Sequence, residues 1–452
     1  MFFSAIGIKL RRNFMRKKNY LALLLVAACL LCSCNSGDKP EETPKQTTTK
    51  KEETTTAKKD DKIDLDSLEK GISDSFMFGC DVSTLITQEN SGVIYYNEAG
   101  EEQDALKTLA DNGVNMIRIR VWNDPYDENG KGYGGGNCDT DNAIAIGKRA
   151  TQYNMGCMID YHYSDFWADP SKQMCPKAWK DMSVDEKSEA LYEYTKESLG
   201  KILEAGVDVK VVQIGNETTS GMAGESNWKN IAKLMNSGSK AVRELSAQYE
   251  KDIQIAVHFT NPEKGKYSSY AKTLATNEVD YDIFASSYYP FWHGTLANLK
   301  KELGGIVEKY GKKVMVAEIS YSYTLEDGDG HQNTIYDGAW GTFDYAMSEE
   351  SQVKVVKDCV ETLSELGEYA AGICYWEPAW IPVPEKDGVT RSELWEQYGS
   401  GWASSFAAGY DPKDAGQYYG GSAWDNQSWF DFTGHPLSSI STYKQIKEEL
   451  QK

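Results

Sequence analysis

From about residue 67 to the C-terminus, short apolar runs alternate with longer stretches whose apolar positions recur every three to four residues. The runs at 76–81, 115–121, 156–161, 209–214, 253–258, 281–287, 314–319 and 372–376 read as strands. Between them, 105–112, 142–152, 184–205, 228–247, 296–310 and 351–367 carry the helical period. Strands that are apolar on both faces belong in a sheet covered on both sides, and strands alternating with helices make that sheet parallel. The expected fold is therefore α/β, a single (β/α)8 TIM barrel with long βα loops, spanning 67–452. No repeat of fixed period is visible, which argues against a solenoid or propeller.

Polar side chains cluster where the apolar runs stop: Asp81, Arg120, His162, Asn216, Glu217, His258, Tyr288, Glu318 and Trp376. In a barrel those positions ring the C-terminal face, where active sites lie. Glu217 follows the fourth run and Glu318 the seventh, on opposite sides of the mouth. A glycosidase needs such a pair, one carboxyl to protonate the leaving oxygen and one on the other side of the sugar ring; in retaining enzymes they stand about 5–5.5 Å apart. A lone strand-end glutamate is more often structural, but Asn216 beside Glu217 offers an amide for a sugar 2-hydroxyl.

The N-terminus is different in kind. Residues 1–33 hold six basic side chains and no acidic one, then an apolar core from Leu21 to Leu31 that is too short to span a bilayer and suits a signal peptide. It runs into Leu31-Cys32-Ser33-Cys34, which resembles a bacterial lipobox with Cys34 as the acylated residue; ordinary signal cleavage nearby is the alternative. Residues 34–66 are then Lys, Glu, Thr and Asp with almost nothing apolar, and read as a flexible tether. The whole chain carries 48 Lys and Arg against 68 Asp and Glu, so without the leader 42 basic groups face 68 acidic ones, a net of −26. Such a surface excludes nucleic acid as a partner. With 12 Trp and 28 Tyr, it suits stacking on neutral sugar rings.

Long motifs sharpen this. Gly79-Cys80-Asp81-Val82-Ser83, Asn115 through Trp122, Gly132-Tyr133-Gly134-Gly135-Gly136-Asn137, Asp160 through Pro170, Gln213 through Glu217, Ser287 through Gly294 and Tyr375-Trp376-Glu377-Pro378-Ala379-Trp380 resemble, in order, the β-1,4-galactanases of glycoside hydrolase family 53. The resemblance implies cleavage of galactan or type I arabinogalactan by double displacement, with Glu217 as acid/base and Glu318 as nucleophile. Glu318 is then expected to stay ionised beside Arg120 and a hydrogen bond from Tyr288. Arg120, Trp122, His162, Asn216, Tyr288, Trp292 and Trp376 are the expected substrate-binding residues. Two other readings stand beside it: a different retaining barrel enzyme, such as a mannanase or cellulase, and a non-catalytic glycan-binding lipoprotein.

The run 326–333, Glu-Asp-Gly-Asp-Gly-His-Gln-Asn, places oxygen-bearing residues at alternate positions of a glycine-rich loop, as calcium loops do, although such runs are also common as solvated turns. The family resemblance implies one structural Ca2+ held by Asp327, Asp329, His331, Asn333, Ser422 and Asp425. Cys138 and Cys175 fall in loops on the active-site face, where an exported protein could bridge them. A monomer is expected, attached to the cell envelope, in the outer membrane, through a lipid at Cys34 alone.

Overall fold

Eight parallel strands close into a barrel in sequence order. They are β1 Met77–Asp81, β2 Met116–Val121, β3 Gly156–Tyr161, β4 Val209–Ile214, β5 Gln254–Phe259, β6 Ile283–Ser287, β7 Lys313–Ile319 and β8 Ala370–Trp376. This is the expected single (β/α)8 barrel, and each strand lies within two residues of its expected bounds. The computed structural model describes residues 62–338, 344–385 and 388–450. All of them belong to one compact unit, Asp60–Lys452. The signal segment, Cys34 and most of the tether lie outside the described residues.

The expected helices form as well, including Val184–Glu204, Trp228–Gln248 and Leu296–Tyr310. Side-chain caps set their starts: Ser183 caps the first through a box with Glu186, and the Thr295 hydroxyl accepts from Asn298 N–H. Gly311 ends Leu296–Tyr310 in the left-handed conformation. The pattern did not signal Leu85–Asn90, Tyr267–Thr276, Arg391–Tyr398 or Thr442–Leu450. The first three are short or weakly amphipathic. The chain is already packed at Ile63, whose N–H donates to the Glu308 carbonyl at 2.9 Å, four residues ahead of the expected start at Ser67.

Strand side chains alternate between two environments. Phe78, Cys80, Ile117, Ile119, Cys157, Ile159, Val212 and Val257 point outward into the layer shared with the helices. Inside the barrel, Met77, Met116, Met158, Val211, Ala256, Ile283 and Met315 fill the lower level. Two to four residues further along the strands the filling becomes polar: Asp81, Arg118, Asp160, Gln213, His258 and Ser287 are all fully buried. The site stands on this layer.

Candidate active site

Arg118, on β2, organises the polar layer. Its guanidinium meets Asp81 Oδ2 at 2.9 Å, Asp160 Oδ2 at 2.9 Å and Glu318 Oε1 at 3.0 Å. It also donates to Gln213 Oε1 and, at 2.9 Å, to Asn216 Oδ1. One buried cation among three carboxylates keeps the net charge of the layer negative, and the five donors of a guanidinium suit that crowding. Burial works against the charge of Asp160, but Arg118 and then His162 outweigh it and hold its pKa below the usual value.

Glu217 sits just past β4 with φ +44°, a left-handed conformation uncommon for a residue with a side chain. Gly215 prepares the turn at φ +84°, where a Cβ would come within 2.6 Å of Thr218 Cγ2. The tight turn delivers the Glu217 carboxyl to the mouth, where Ser287 Oγ lies 2.6 Å from Oε1. Burial and then the nearby Glu318 carboxylate push Glu217 up to about 8. Glu318 is raised by burial too, but Arg118 opposes the rise and Tyr289 O–H donates to Oε2 at 2.9 Å. The two carboxyls thus share a site with the cation on one side. The first proton belongs on Glu217.

Both line a cleft of about 450 Å3 together with Arg120, His162, Trp167, Asn216, Tyr289, Trp292, Trp376, Trp402 and Trp424. Five of the seven expected substrate residues are therefore in place: Arg120, His162, Asn216, Trp292 and Trp376. His162 accepts from Trp122 Nε1 and from Ala168 N–H at 3.1 Å through Nδ1, so its Nε2 carries the hydrogen toward Asp160. Burial holds it below its usual pKa, neutral, despite Asp160.

Two expected residues are not in the cleft. Tyr288 is buried with its hydroxyl on the Gly294 carbonyl; Ile283 and Ala285 face inward and Ser287 continues that face, so Tyr288 faces the helices and Tyr289 faces the site. Tyr288 supplies only a backbone N–H to the Glu318 carbonyl, at 2.8 Å. Trp122 is fully buried, ring against ring with Trp167 and Phe166. The loop after β3 covers it and presents Trp167 instead.

The expected partners of Glu318 are corrected likewise. Arg118 and Tyr289 hold it, not Arg120 and Tyr288. Arg120 lies two residues further up β2, about 6.6 Å, and pairs with Glu377 Oε1 at 2.7 Å while its guanidinium lies 4.3 Å from the Trp167 ring centre. Glu377 is a further buried carboxyl, at φ +52°, raised to about 8 by burial against the pull of Arg120. Sequence reasoning missed Arg118 and Tyr289, although each sits two residues from an inward-facing position that was legible.

The glycine-rich loop after β7 does fold back on the loop after β8. Carboxylate oxygens of Asp327, Asp329 and Asp425 lie within 4.8 Å of one another. Asp425 accepts from Asn333 Nδ2 at 2.6 Å and from Gly328 N–H at 3.0 Å, and Asp329 Oδ2 accepts from Ser422 N–H at 2.8 Å. Burial raises Asp329 to about 6, and burial with Asp329 raises Asp425 to about 8. Asn333 is 2% exposed, yet its Oδ1 has no partner among the described residues. His331 joins the loop through its N–H, which donates to Asp329 Oδ1 at 2.7 Å.

Cys138 and Cys175 are both free thiols, and no bridge joins them. Cys138 is buried under the Gly135 carbonyl, 3.2 Å from its sulfur, and Cys175 packs beside Gly224.

Two carboxyls in unequal surroundings, one beside a buried arginine and one without it, beneath an aromatic cleft at a barrel mouth suit acid-assisted cleavage of a glycosidic bond. The fold and site define a barrel glycosidase. The model of glycosyl hydrolase family 53 matches residues 77–443, and the chain belongs to that family. It is 55% identical over 377 residues to the endo-beta-1,4-galactanase of Bacillus subtilis (strain 168), covering 83% of this chain and 87% of that protein. With the arabinogalactan endo-beta-1,4-galactanase of Cellvibrio japonicus it shares 30% over 338 residues, 72% of this chain and 87% of the relative. Among solved structures, the Ignisphaera aggregans GH53 catalytic domain superposes with a TM-score of 0.72 at 35% identity, covering 84% of this chain and 99% of that one. A fungal beta-1,4-galactanase gives 0.65 at 28% identity, over 82% and 99%.

Proposed function

We propose that this enzyme is an endo-acting galactanase that cleaves β-1,4-galactosidic bonds of galactan and type I arabinogalactan with retention. The observation that carries the reading is the unequal carboxyl pair. Glu217, raised by burial, keeps its proton and delivers it to the glycosidic oxygen as that bond breaks. Glu318, steadied by Arg118 and Tyr289, attacks the anomeric carbon to form a glycosyl-enzyme. Glu217, now ionised, takes a proton from water, and the hydroxide oxygen displaces Glu318. Trp167, Trp292 and Trp376 offer flat apolar faces to the sugar rings.

Linear β-1,4-galactan digested in an NMR tube tests this, with mannan and cellulose as controls. Short galacto-oligosaccharides should appear with the β-anomer first. Initial α-anomer, or mannan cleaved in preference to galactan, overturns the assignment. In the same assay Glu318→Ala should abolish hydrolysis.

The loop after β7 fits a structural Ca2+. Three clustered carboxylates are hard oxygen ligands, and the buried Asn333 Oδ1 lacks a partner among the described residues. Asp327, Asp329, Asp425 and Asn333 would hold the ion, with His331 and Ser422 closing the loops around it. The ion would neutralise the carboxylates and tie the segment that follows Glu318 to the loop after β8. The lipobox supports acylation at Cys34, and we propose on that basis a lipid-anchored enzyme of the cell envelope, placed in the outer membrane and taken as a monomer. Metabolic labelling with an alkyne fatty acid tests the anchor, and Cys34→Ser should lose the label.

A further inference from the structure

Glu217 has a hydrogen-bond chain behind it that the double displacement does not use. Ser287 Oγ lies 2.6 Å from Glu217 Oε1 and 2.9 Å from His258 Nε2. His258 Nδ1 lies 2.9 Å from Asn216 Oδ1. All of these side chains are buried; His258 and Ser287 are at 0% exposure.

The direction of the chain follows from its far end. Asn216 Nδ2 donates to the Ala168 carbonyl at 2.9 Å, and Arg118 Nη2 donates to Asn216 Oδ1 at 2.9 Å, so Oδ1 is the amide oxygen and only accepts. His258 Nδ1 must therefore carry a hydrogen. The alternatives at that nitrogen, Gln213 Nε2 at 3.3 Å and Glu217 N–H at 3.4 Å, are longer. Burial, and next to it the Arg118 charge, keep His258 neutral, so Nε2 has a bare lone pair and can only accept. Its neighbour is the single hydrogen of Ser287. If that hydrogen goes to His258, the 2.6 Å contact with Glu217 needs a proton from Glu217. If it goes to Glu217, His258 Nε2 is left buried and unpaired.

We propose that Ser287 and His258 are positioning residues that hold the proton on the acid/base Glu217, because their chain is fully satisfied only when Glu217 is protonated. When Glu217 gives its proton to the leaving group, the Ser287 hydroxyl turns from His258 to the new carboxylate. When Glu217 takes a proton from water, the hydroxyl turns back. No proton travels along the chain; its bias resets the acid after each turnover. The other groups facing Glu217 are Glu318 from β7, Asp169 from the loop after β3 and Thr260 after β5. Tyr289 and Tyr267 lie near it too. Arg118, Asp160, His162 and His293 face His258. None of these depends on the Ser287 hydrogen.

The inference rests on Glu217 as acid/base, and its test separates the two claims. For Ser287→Ala and His258→Leu the basic limb of the kcat/KM profile on galactan should move down by about 0.5–1 pH unit, the scale of one lost neutral hydrogen bond. The double variant should move no further than either single one. A serine that merely stabilised the carboxylate would give the opposite sign, so an upward shift in Ser287→Ala overturns the proposal. An enzyme that cleaves no galactan would instead refute the functional reading. Nitrogen-15 NMR of histidine-labelled wild-type protein needs no variant. It should show His258 as the neutral Nδ1–H tautomer up to about pH 8, and an Nε2–H tautomer or an imidazolium overturns the chain.

Discussion

Tyr288 and Tyr289 are neighbours of the same type, and the site separates them. The Tyr289 hydroxyl donates to the Glu318 carboxylate, while that of Tyr288 donates to a backbone carbonyl on the other side of the strand. A hydrogen bond to a charged group contributes about 1.5–3 kcal/mol. Tyr289→Phe should thus lower kcat/KM by about tenfold to a hundredfold. Tyr288→Phe should leave kcat/KM near wild type and cost about 1 kcal/mol of stability, read by urea unfolding. If Glu217 is the proposed proton donor, Glu217→Ala should lower kcat by about 10²–10⁴-fold on galactan. The protonation of the same residue sets the pH response. A raised carboxyl is loaded below its pKa, so kcat/KM should fall as pH rises through about 8. A profile flat to pH 10 contradicts that.

At the scale of elements, the strands place chemistry by height and side. Arg118 and Arg120 share the inward face of β2, yet one reaches Glu318 and the other Glu377. The lower is the catalytic neighbour. In β7 the pairing slips between Ser286 and Ser287 on β6, which brings Ser287 opposite Glu318 and leaves Ala317 as the additional residue. That irregularity is invisible to a period-two reading, whereas the inward face of β6 that continues to Tyr289 was legible and was misread by one position. β1 and β8 meet closely where Gly79 pairs with Cys374, and a Cβ on Gly79 would run into the Cys374 sulfur. Gly79→Ala should cost about 1–3 kcal/mol of stability by overpacking, checked by urea denaturation.

Across the whole molecule, segments far apart in sequence come together. The loop after β7 meets Asp425, about a hundred residues on, and a cation there would offset the negative charge that burial disfavours on Asp329 and Asp425. EDTA should therefore lower Tm by several degrees and added Ca2+ should restore it. The sequence by itself determined the barrel, the strand that carries each glutamate and the acidic surface. Those follow from apolar periodicity, strand order and composition, which are local or additive properties. Only the tertiary structure decided which arginine and tyrosine hold Glu318, that Trp167 covers Trp122, that Cys138 and Cys175 stay apart, and that Ser287 joins Glu217 to His258. Each of those depends on the height, side and loop cover of groups from different strands. Differences of one or two residues, a few ångströms, change a hydrogen-bond partner entirely, because a buried hydrogen bond holds only over a few tenths of an ångström.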